Sequence, residues 1–559
     1  MTGISTGSVR GGAHGSADPS VRGWKRHALK KHGEDGNLSQ YERLVRPNLE
    51  AEMMTAILIS MNRLLFSFLA TLMALASLMM PAFMSAQNVN QIEIRVNGLG
   101  ADTVYLANYY GAKMYYADTT VATNDGRFRF DAPQGDKGGK YAAILPGNIF
   151  IELVITGEEV KMTADLDDLP GSIEVKKSVE NKLFYNYLSF IGEMREARAP
   201  IDQAYADSTI SAVERESLMA EMSILNEEVV VRQKELVDSN PEALFAKMLQ
   251  MVSEEDVPEA PEGVEDARTW QYYYYRSHFW DRVDLSDPRL VRDPAFHGIL
   301  DQYWNGVLPQ MPDSMLHWGI DLIDRAGHDE VFKYILHYMT YASESSKIMC
   351  MDLVFVNLVD RYYRKGKATW MVQESLDKVL DRADDLRYTM CGHKIPNITL
   401  PDVTGQNWIS LYDIDANFTI VSIWESNCGH CKVEMPKLKE LYKKWHDKGV
   451  EVYAIGNDFE TEPWIKFLEE QELTDWINVS DNPQINATDS ATVLVHSGVT
   501  DLLSLNFRAT FDVFATPKLF LLDRDKVIVA KQIGADQLGE ILDRAMSEGM
   551  FEGGPDGGR

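Results

Sequence analysis

Two cysteines separated by two residues form the part of this sequence best suited to chemistry. Cys428 and Cys431 follow the apolar, β-branched run Phe418–Trp424, and a helical pattern begins directly after them. This order predicts a strand, a tight turn and a helix that starts at the dithiol. Unpaired N–H groups and a partial positive charge at a helix start favour a thiolate over a thiol. The pair is therefore suited to reversible disulfide exchange.

Closely spaced cysteines also have two simpler explanations. A zinc site needs two further ligands, and neither His393 beside Cys391 nor His446 further along the helix has the spacing of a ligand pair. A purely structural disulfide between neighbours would close almost no chain, so its entropic contribution would be small. We therefore favour redox exchange, without a metal or any other cofactor.

Length and charge limit the classes of protein to consider. A chain of 559 residues is too long for one core, and length alone suggests about three or four domains. The net charge of −29 argues against nucleic-acid binding, because nothing offsets repulsion by phosphates. Four cysteines are too few for a disulfide-built scaffold in so long a chain, but they suit a protein in which one pair has a chemical role.

An apolar segment near the start resembles an export signal. A short basic start precedes an apolar run from Leu64 to Phe83, and small residues end it at Ala86. We interpret residues 61–86 as a cleaved signal peptide. An uncleaved membrane anchor is the alternative, since about 20 apolar residues can span a bilayer.

Signal peptides begin at the N-terminus, whereas this segment begins sixty residues into the chain. We therefore expect translation to start at Met61, or at Met53 or Met54, and residues 1–60 to be a disordered extension produced by a start-site artefact. An exported chain meets oxidising surroundings, where a dithiol must be recycled by a partner. We expect that partner to be a membrane electron donor or acceptor in the periplasm or cell envelope.

Two different patterns lie between the signal segment and the dithiol. Residues 87–170 alternate, as in Ile92–Val96, and contain the hairpin signal Asp125–Gly126, so they predict a small antiparallel, sandwich-like β domain. Residues 178–388 show helical periodicity and predict an α-helical domain. Within it, the aromatic run Trp270–Trp280 is more typical of a core or interdomain face than of a ligand platform.

The other two cysteines fall in or beside the helical domain. Cys350 lies in an apolar stretch that is typical of core packing, and Cys391 precedes a glycine and a histidine without a second cysteine nearby. Exported proteins can form disulfides, so a Cys350–Cys391 bridge is compatible with the sequence. Sequence alone does not decide whether the two residues are close enough to pair.

The C-terminal region resembles the thioredoxin-like superfamily, in particular exported thiol–disulfide oxidoreductases of the TlpA/ResA type. The resemblance covers residues 392–548, and residues 549–559 are expected to be a disordered tail. It rests on the strand before Cys428, on Pro436 in the following helix, and on Thr516-Pro517 before an apolar strand. It implies an α/β thioredoxin fold with a cis-proline at Pro517. Most of the exported chain is similar to multi-domain envelope proteins of Bacteroidetes.

The resemblance also implies roles for residues of the dithiol helix. Cys428 would be the attacking thiolate, and Cys431 would resolve the mixed disulfide, so the two form a redox-active disulfide. His430 between them can carry a positive charge, and the tetrapeptide Cys428-Gly-His-Cys431 is similar to that of protein disulfide isomerases. Glu434 matches a glutamate of the TlpA/ResA group and is expected to accept or relay the resolving proton. Its alternative role is that of a solvated helix charge.

Substrate contacts are expected from three residues around the dithiol. Thr516 and Pro517 would pair with the partner peptide as a short β-augmentation, and we also assign Trp424, at the end of the preceding strand, to substrate binding. Two residues depart from thioredoxin: Ser422 stands where thioredoxin has a buried aspartate, and Asn427 replaces the tryptophan before the first cysteine. Both departures argue against thioredoxin-like kinetics and partners.

The sequence therefore predicts an exported thiol–disulfide oxidoreductase acting on cysteine-containing envelope proteins, with reduction, isomerisation and oxidation all open. A thiol peroxidase of the same fold is one alternative, although the residues before Cys428 lack the Pro-x-x-Thr/Ser pattern typical of peroxiredoxins. A non-catalytic envelope binding or scaffold protein is the other alternative.

Overall fold

Strands occupy the first part of the described chain, helices the middle, and a mixed α/β arrangement the last part. The computed structural model describes residues 90–169, 171–254, 256–481, 486 and 488–548. The predicted N-terminal extension, signal peptide and C-terminal tail lie outside these residues.

The β-rich region consists of two sheets of four strands each, in the orders β4-β1-β7-β8 and β3-β2-β5-β6. Alternate side chains of each sheet point into one shared apolar core, which contains Ile94, Phe128 and Leu153. The strands are β1 (Gln91–Asn97), β2 (Thr103–Tyr110), β3 (Lys113–Val121), β4 (Arg127–Asp131), β5 (Gly139–Leu145), β6 (Ile149–Ile155), β7 (Val160–Asp165) and β8 (Glu174–Lys177).

The prediction that this region is antiparallel is wrong for one pair of strands. β1 and β7 run parallel, with Ile92 opposite Val160 and Asn97 opposite Asp165. The reason is topological: β2, β3, β5 and β6 form the second sheet, so the chain crosses over before β7 returns beside β1. A crossover connection allows parallel pairing, which a tight hairpin does not.

Helices form the middle region around their own apolar core. Serine side chains cap the first two: Ser178 accepts from the Asn181 N–H, and Ser211 accepts from the Glu214 N–H. The helices are α1 (Val179–Tyr205), α2 (Ala212–Ser239), α3 (Leu244–Val252), α4 (Ala267–His278), α5 (Pro294–Gln302), α6 (Pro312–Arg325), α7 (Asp329–Glu344), α8 (Asp352–Leu358) and α9 (Gln373–Arg387).

The aromatic run of this region divides between core and surface. Phe279 and Trp280 are buried in the helical core, whereas Tyr273 on α4 is half exposed. The buried end of the run therefore packs as the sequence pattern indicates.

The C-terminal region is a five-stranded mixed sheet in the order β13-β12-β11-β14-β15. β11 is central, parallel to β12 and antiparallel to β14, and apolar cores cover both faces of the sheet. This arrangement is the thioredoxin-like fold that the sequence predicts. Its elements are β9 (Thr399–Pro401), β10 (Trp408–Ser410), β11 (Phe418–Trp424), α10 (Gly429–Trp445), β12 (Val450–Gly456), α11 (Thr461–Glu470), β13 (Ile477–Ser480), α12 (Asp489–His496), α13 (Leu502–Leu505), α14 (Phe507–Thr510), β14 (Lys518–Leu522), β15 (Ile528–Lys531) and α15 (Ala535–Ser547).

The β-rich, helical and C-terminal regions belong to a single compact unit. Among the described residues, none of the helices combines the length and apolar character that crossing a bilayer requires. The same part of the chain contains no group of three or more His, Cys, Asp or Glu side chains placed to hold a metal ion.

Candidate active site

Cys428 lies at the junction between β11 and α10. All seven residues of β11 are buried, because their apolar and β-branched side chains pack into the cores on both sides of the sheet. Cys428 is the N-cap residue of α10, and its Sγ accepts a hydrogen bond from the Cys431 N–H at 3.4 Å. The sulfur thereby satisfies one of the N–H groups that a helix start leaves without an intrahelical partner. The predicted strand, turn and helix are confirmed at the dithiol.

The two thiols differ in exposure and in acidity. Both are free, and Cys428 is partly exposed whereas Cys431 is 0% exposed. Burial acts to raise the pKa of Cys428, but hydrogen bonds from the Thr516 side chain, from Cys431 and from the His430 N–H outweigh it and hold that pKa below its ordinary value. At Cys431 burial dominates and raises the pKa to about 12. Cys428 is therefore the thiol that ionises first and that another molecule can reach.

The loop before β14 faces the dithiol. The Thr516–Pro517 peptide bond is cis, as predicted, and β14 begins with Lys518 opposite Ile423 of β11. The Cys428 thiol donates a hydrogen bond to the Thr516 carbonyl oxygen, with 3.1 Å between sulfur and oxygen. Thr516 and Pro517 therefore lie beside the partly exposed sulfur.

The two titratable side chains expected to assist the dithiol have different surroundings. His430 is exposed in the first turn of α10, and its backbone N–H contributes to the lowered pKa of Cys428. Glu434 accepts a hydrogen bond from the Ala535 N–H at 3.0 Å and forms an ion pair with Lys437 at 3.3 Å. Since Ala535 begins α15, the Glu434 carboxylate stabilises the N-terminal end of that helix. The proton relay expected of Glu434 stays a prediction.

Trp424 does not line the site, and its expected role in substrate binding is not supported. Its side chain is fully buried, and its ring packs on Phe467 of α11 with the ring centroids 4.8 Å apart. The physical reason is strand alternation: Trp424 shares a face of β11 with Ile420, and that face forms the core beneath α10. A molecule bound at the surface does not reach this ring.

The two departures from thioredoxin, both before Cys428, differ in burial. Ser422 is fully buried, and its Oγ lies 3.8 Å from the Met435 Sδ in α10. Asn427 is exposed immediately before Cys428. A serine does not titrate in the ordinary pH range, so this strand position offers no carboxylate to take the proton of Cys431.

A cleft of about 510 Å³ opens beside the Thr516–Pro517 loop. One of its walls comes from the helical region, because Arg382 of α9 reaches it, and Phe514 at its rim is 80% exposed. Sequence reasoning missed both residues, since no local pattern marks side chains that meet only in the folded chain. Among the lining residues are Arg382, His430, Glu434, Phe514, Thr516 and Pro517.

A disulfide and a buried ion pair join the helical and C-terminal regions behind the site. Cys350 and Cys391 form a disulfide with their Cα atoms 5.6 Å apart, which resolves the question that the sequence left open. Close to it, the Lys531 ammonium contacts the Asp352 carboxylate and donates to the Thr389 carbonyl oxygen at 2.6 Å. These contacts fix the sheet edge at β15 against the helical region.

The fold and the paired thiols together define the class of this protein: it is a thiol–disulfide oxidoreductase with a thioredoxin-like domain. Residues 391–531 match the AhpC/TSA family, and residues 221–387 match a domain of unknown function, DUF5106. Over 144 residues the chain is 31% identical to the thiol–disulfide oxidoreductase ResA of Bacillus cereus, an alignment that covers 26% of this chain and 69% of that relative. The chain belongs to the ResA family of thiol–disulfide oxidoreductases.

Similar structures have been solved for parts of the chain. A domain of a possible thiol–disulfide isomerase from Cytophaga hutchinsonii is 36% identical, with a TM-score of 0.24, and the match covers 28% of this chain and 95% of that one. A thioredoxin-like protein from Bacteroides caccae is 19% identical, with a TM-score of 0.39, and the match covers 52% of this chain and 99% of that one.

Proposed function

We propose that this protein is an exported oxidoreductase that reduces, isomerises or exchanges disulfides of envelope proteins through Cys428 and Cys431. The observation that carries the proposal is the difference between the two thiols. Cys428 is reachable and its pKa is lowered, whereas Cys431 is buried and its pKa is raised to about 12. This difference assigns an order to the chemistry, with attack by Cys428 first and resolution by Cys431 second.

In the first step, the Cys428 thiolate attacks one sulfur of a substrate disulfide. A mixed disulfide forms, the substrate S–S bond breaks, and the other substrate sulfur leaves as a thiolate. Cys431 then loses its proton and attacks the Cys428 sulfur, which releases the second substrate thiolate and closes the Cys428–Cys431 disulfide. Two electrons pass from the dithiol to the substrate, and a membrane electron donor in the envelope returns them. We propose that Glu434, on the same helix, receives the Cys431 proton.

The export part of the proposal is supported by the sequence pattern of residues 61–86, which is typical of a signal peptide. The Cys350–Cys391 disulfide also suits an oxidising compartment, where structural disulfides persist. A cysteine that must react repeatedly in such surroundings needs a recycling partner, and its substrates are the other cysteine-containing proteins of the envelope.

The direction of electron flow depends on the reduction potential of the dithiol. Stabilising the Cys428 thiolate stabilises the reduced form and makes the disulfide form a stronger oxidant. A measured potential near that of protein disulfide isomerase would assign isomerisation or oxidation, and one near that of thioredoxin would assign reduction.

A mixed-disulfide trap tests the function. Tagged Cys431→Ala is expressed in the native envelope, so that substrates attacked by Cys428 stay attached, and the double variant Cys428→Ala/Cys431→Ala is the matched control. The proposal expects protein adducts that a reductant releases and that the control lacks. An empty trap would overturn it. Peroxide consumption that survives Cys431→Ser would instead indicate a thiol peroxidase, and an unchanged phenotype in Cys428→Ala would indicate a scaffold.

A further inference from the structure

A chain of contacts runs from the helical region to the loop that faces the dithiol. The Arg382 guanidinium donates to both carboxylate oxygens of Asp512, with Nη1 2.5 Å from Oδ1 and Nη2 3.4 Å from Oδ2. The Asp512 side chain is almost fully buried. The same guanidinium lies over the Phe514 ring, 5.2 Å from its centroid. A planar group that holds two points of one short loop restrains its backbone more than a single contact does.

Lys518 holds the same loop from its other end. Its ammonium donates to the Asp512 carbonyl oxygen and lies 3.3 Å from Oδ2 of the Asp512 carboxylate. Burial lowers the pKa of Lys518, and the nearby Asp512 carboxylate acts in the opposite direction. Asp512 itself has a φ of 52°, in the left-handed region that non-glycine residues seldom adopt. Such a backbone conformation persists because surrounding contacts hold it.

The loop held in this way leads directly to Thr516, whose carbonyl oxygen lies 3.1 Å from the Cys428 sulfur and whose side chain forms the hydrogen bond that lowers the pKa of Cys428. We infer that Arg382 is a positioning residue for the dithiol, and that it acts through Asp512 to keep Thr516 against Cys428. The thioredoxin-like region therefore depends on the helical region for the geometry of its own reactive cysteine. This inference rests on the proposed role of Cys428 as the attacking thiol.

Loss of the guanidinium leaves Asp512 with Lys518 as its remaining partner among these contacts, and the loop gains freedom to move. The Thr516 side chain, whose hydrogen bond to Cys428 lowers the pKa of that thiol, then spends less time within reach of the sulfur, so the thiolate is less stabilised. We expect the rate of Cys428 alkylation at pH 7 to fall by up to about tenfold, because a rise of about one unit in the thiol pKa lowers the thiolate fraction by about tenfold at a pH below that pKa.

The test compares Arg382→Gln and Arg382→Lys with Arg387→Gln in the full chain. Arg387 lies on the same helix, but it pairs with Asp360 inside the helical region at 2.8 Å, so it controls for a general loss of helix stability. Cys428 alkylation by iodoacetamide is measured against pH in reduced protein, with the modified peptide identified by mass spectrometry.

The Arg382→Gln profile is expected to move to higher pH, Arg382→Lys to move less in the same direction, and Arg387→Gln to keep the wild-type profile. A folded Arg382→Gln protein with the wild-type profile overturns the inference. If that variant does not fold, Arg382→Lys decides in the same way. Iodoacetamide needs no protein substrate, so this result is separable from failure of the envelope function, which the mixed-disulfide trap reports.

Discussion

Asp352→Asn tests the buried ion pair between the helical and C-terminal regions. Lys531 is 1% exposed, and its ammonium is held by the Asp352 carboxylate and by the carbonyl and hydroxyl oxygens of Thr389. The substitution preserves the shape of the side chain and removes its negative charge. It therefore leaves the buried ammonium in contact with neutral groups only, and the Asp512 carboxylate remains as a more distant negative charge.

The magnitude follows from the burial of both partners. Removing one partner of a buried ion pair costs about 3–5 kcal/mol, and asparagine keeps one oxygen as an acceptor, so we expect a loss of about 3 kcal/mol at pH 7. Burial lowers the pKa of Lys531 and the Asp352 carboxylate opposes that shift, so the substitution lowers the folded-state pKa further.

The sign of the pH dependence is fixed by this lowered pKa. A lysine whose pKa is lower when folded binds fewer protons folded than unfolded, so stability rises with pH between the two values. The loss in free energy of unfolding for Asp352→Asn is therefore greatest below the folded-state pKa of Lys531. It becomes smaller as the pH approaches the ordinary lysine pKa of 10.5.

Urea titrations followed by tryptophan fluorescence and far-UV circular dichroism at pH 7 and pH 9.5 measure both effects. Asp543→Asn is the matched control, because the Lys444–Asp543 ion pair, with 2.8 Å between its charged atoms, is more than half exposed. This control should lower the free energy of unfolding by less than about 1 kcal/mol. Lys531→Met/Asp352→Leu should recover most of the loss. An Asp352→Asn protein within about 0.5 kcal/mol of wild type, or with equal losses at both pH values, would refute the reasoning.

Three further predictions concern the cysteines and the dithiol helix. In wild-type protein, Cys428 should reach half of its maximal alkylation rate at a pH below the ordinary pKa of a thiol, whereas buried Cys431 should react only after unfolding. Equal alkylation rates for the two thiols would contradict this difference. Cys350→Ser opens a loop of 41 residues and should lower the free energy of unfolding by about 3–4 kcal/mol in urea titrations; an unchanged midpoint would count against a stabilising bridge. Glu434→Gln should lower the free energy of unfolding by about 1 kcal/mol, because it removes a negative charge from the start of α15. Stopped-flow measurement of Cys428–Cys431 disulfide formation should also show slower resolution. An unchanged rate would restrict Glu434 to its structural contact.

The parts of the site that could be predicted from sequence are those that depend on residues close together in the chain. The apolar run before Cys428, the helical pattern after it and the Thr516-Pro517 pair each occupy a short stretch. The geometry of the central strand and of the dithiol helix follows from β-branching and helix capping. The cis bond at Pro517 was instead expected from the resemblance to thioredoxin-like proteins, because most X–Pro bonds are trans.

Other features depend on how distant segments meet. Trp424 was misassigned because the alternation of β11 predicts two faces but does not tell which face a helix covers. The parallel β1–β7 pair was missed because strand patterns do not specify the order in which strands join a sheet. Arg382 contacts a residue 130 positions away, and Lys531 one 179 positions away, so neither partner was visible in a local pattern.

These distant contacts have one arrangement in common: in both, the helical region supplies a charged partner to the C-terminal region. The helical region supplies the carboxylate for buried Lys531 and the guanidinium for buried Asp512. Lys531 ends β15, and Asp512 lies in the loop before β14. A thioredoxin-like domain separated from the helical region would expose these charged groups to water, which solvates them and removes the need for fixed partners. The loop before Pro517 would then lose its restraint while the sheet keeps its core. The alkylation profile of Cys428 in the isolated domain should therefore lie at higher pH than in the full chain, as expected for Arg382→Gln.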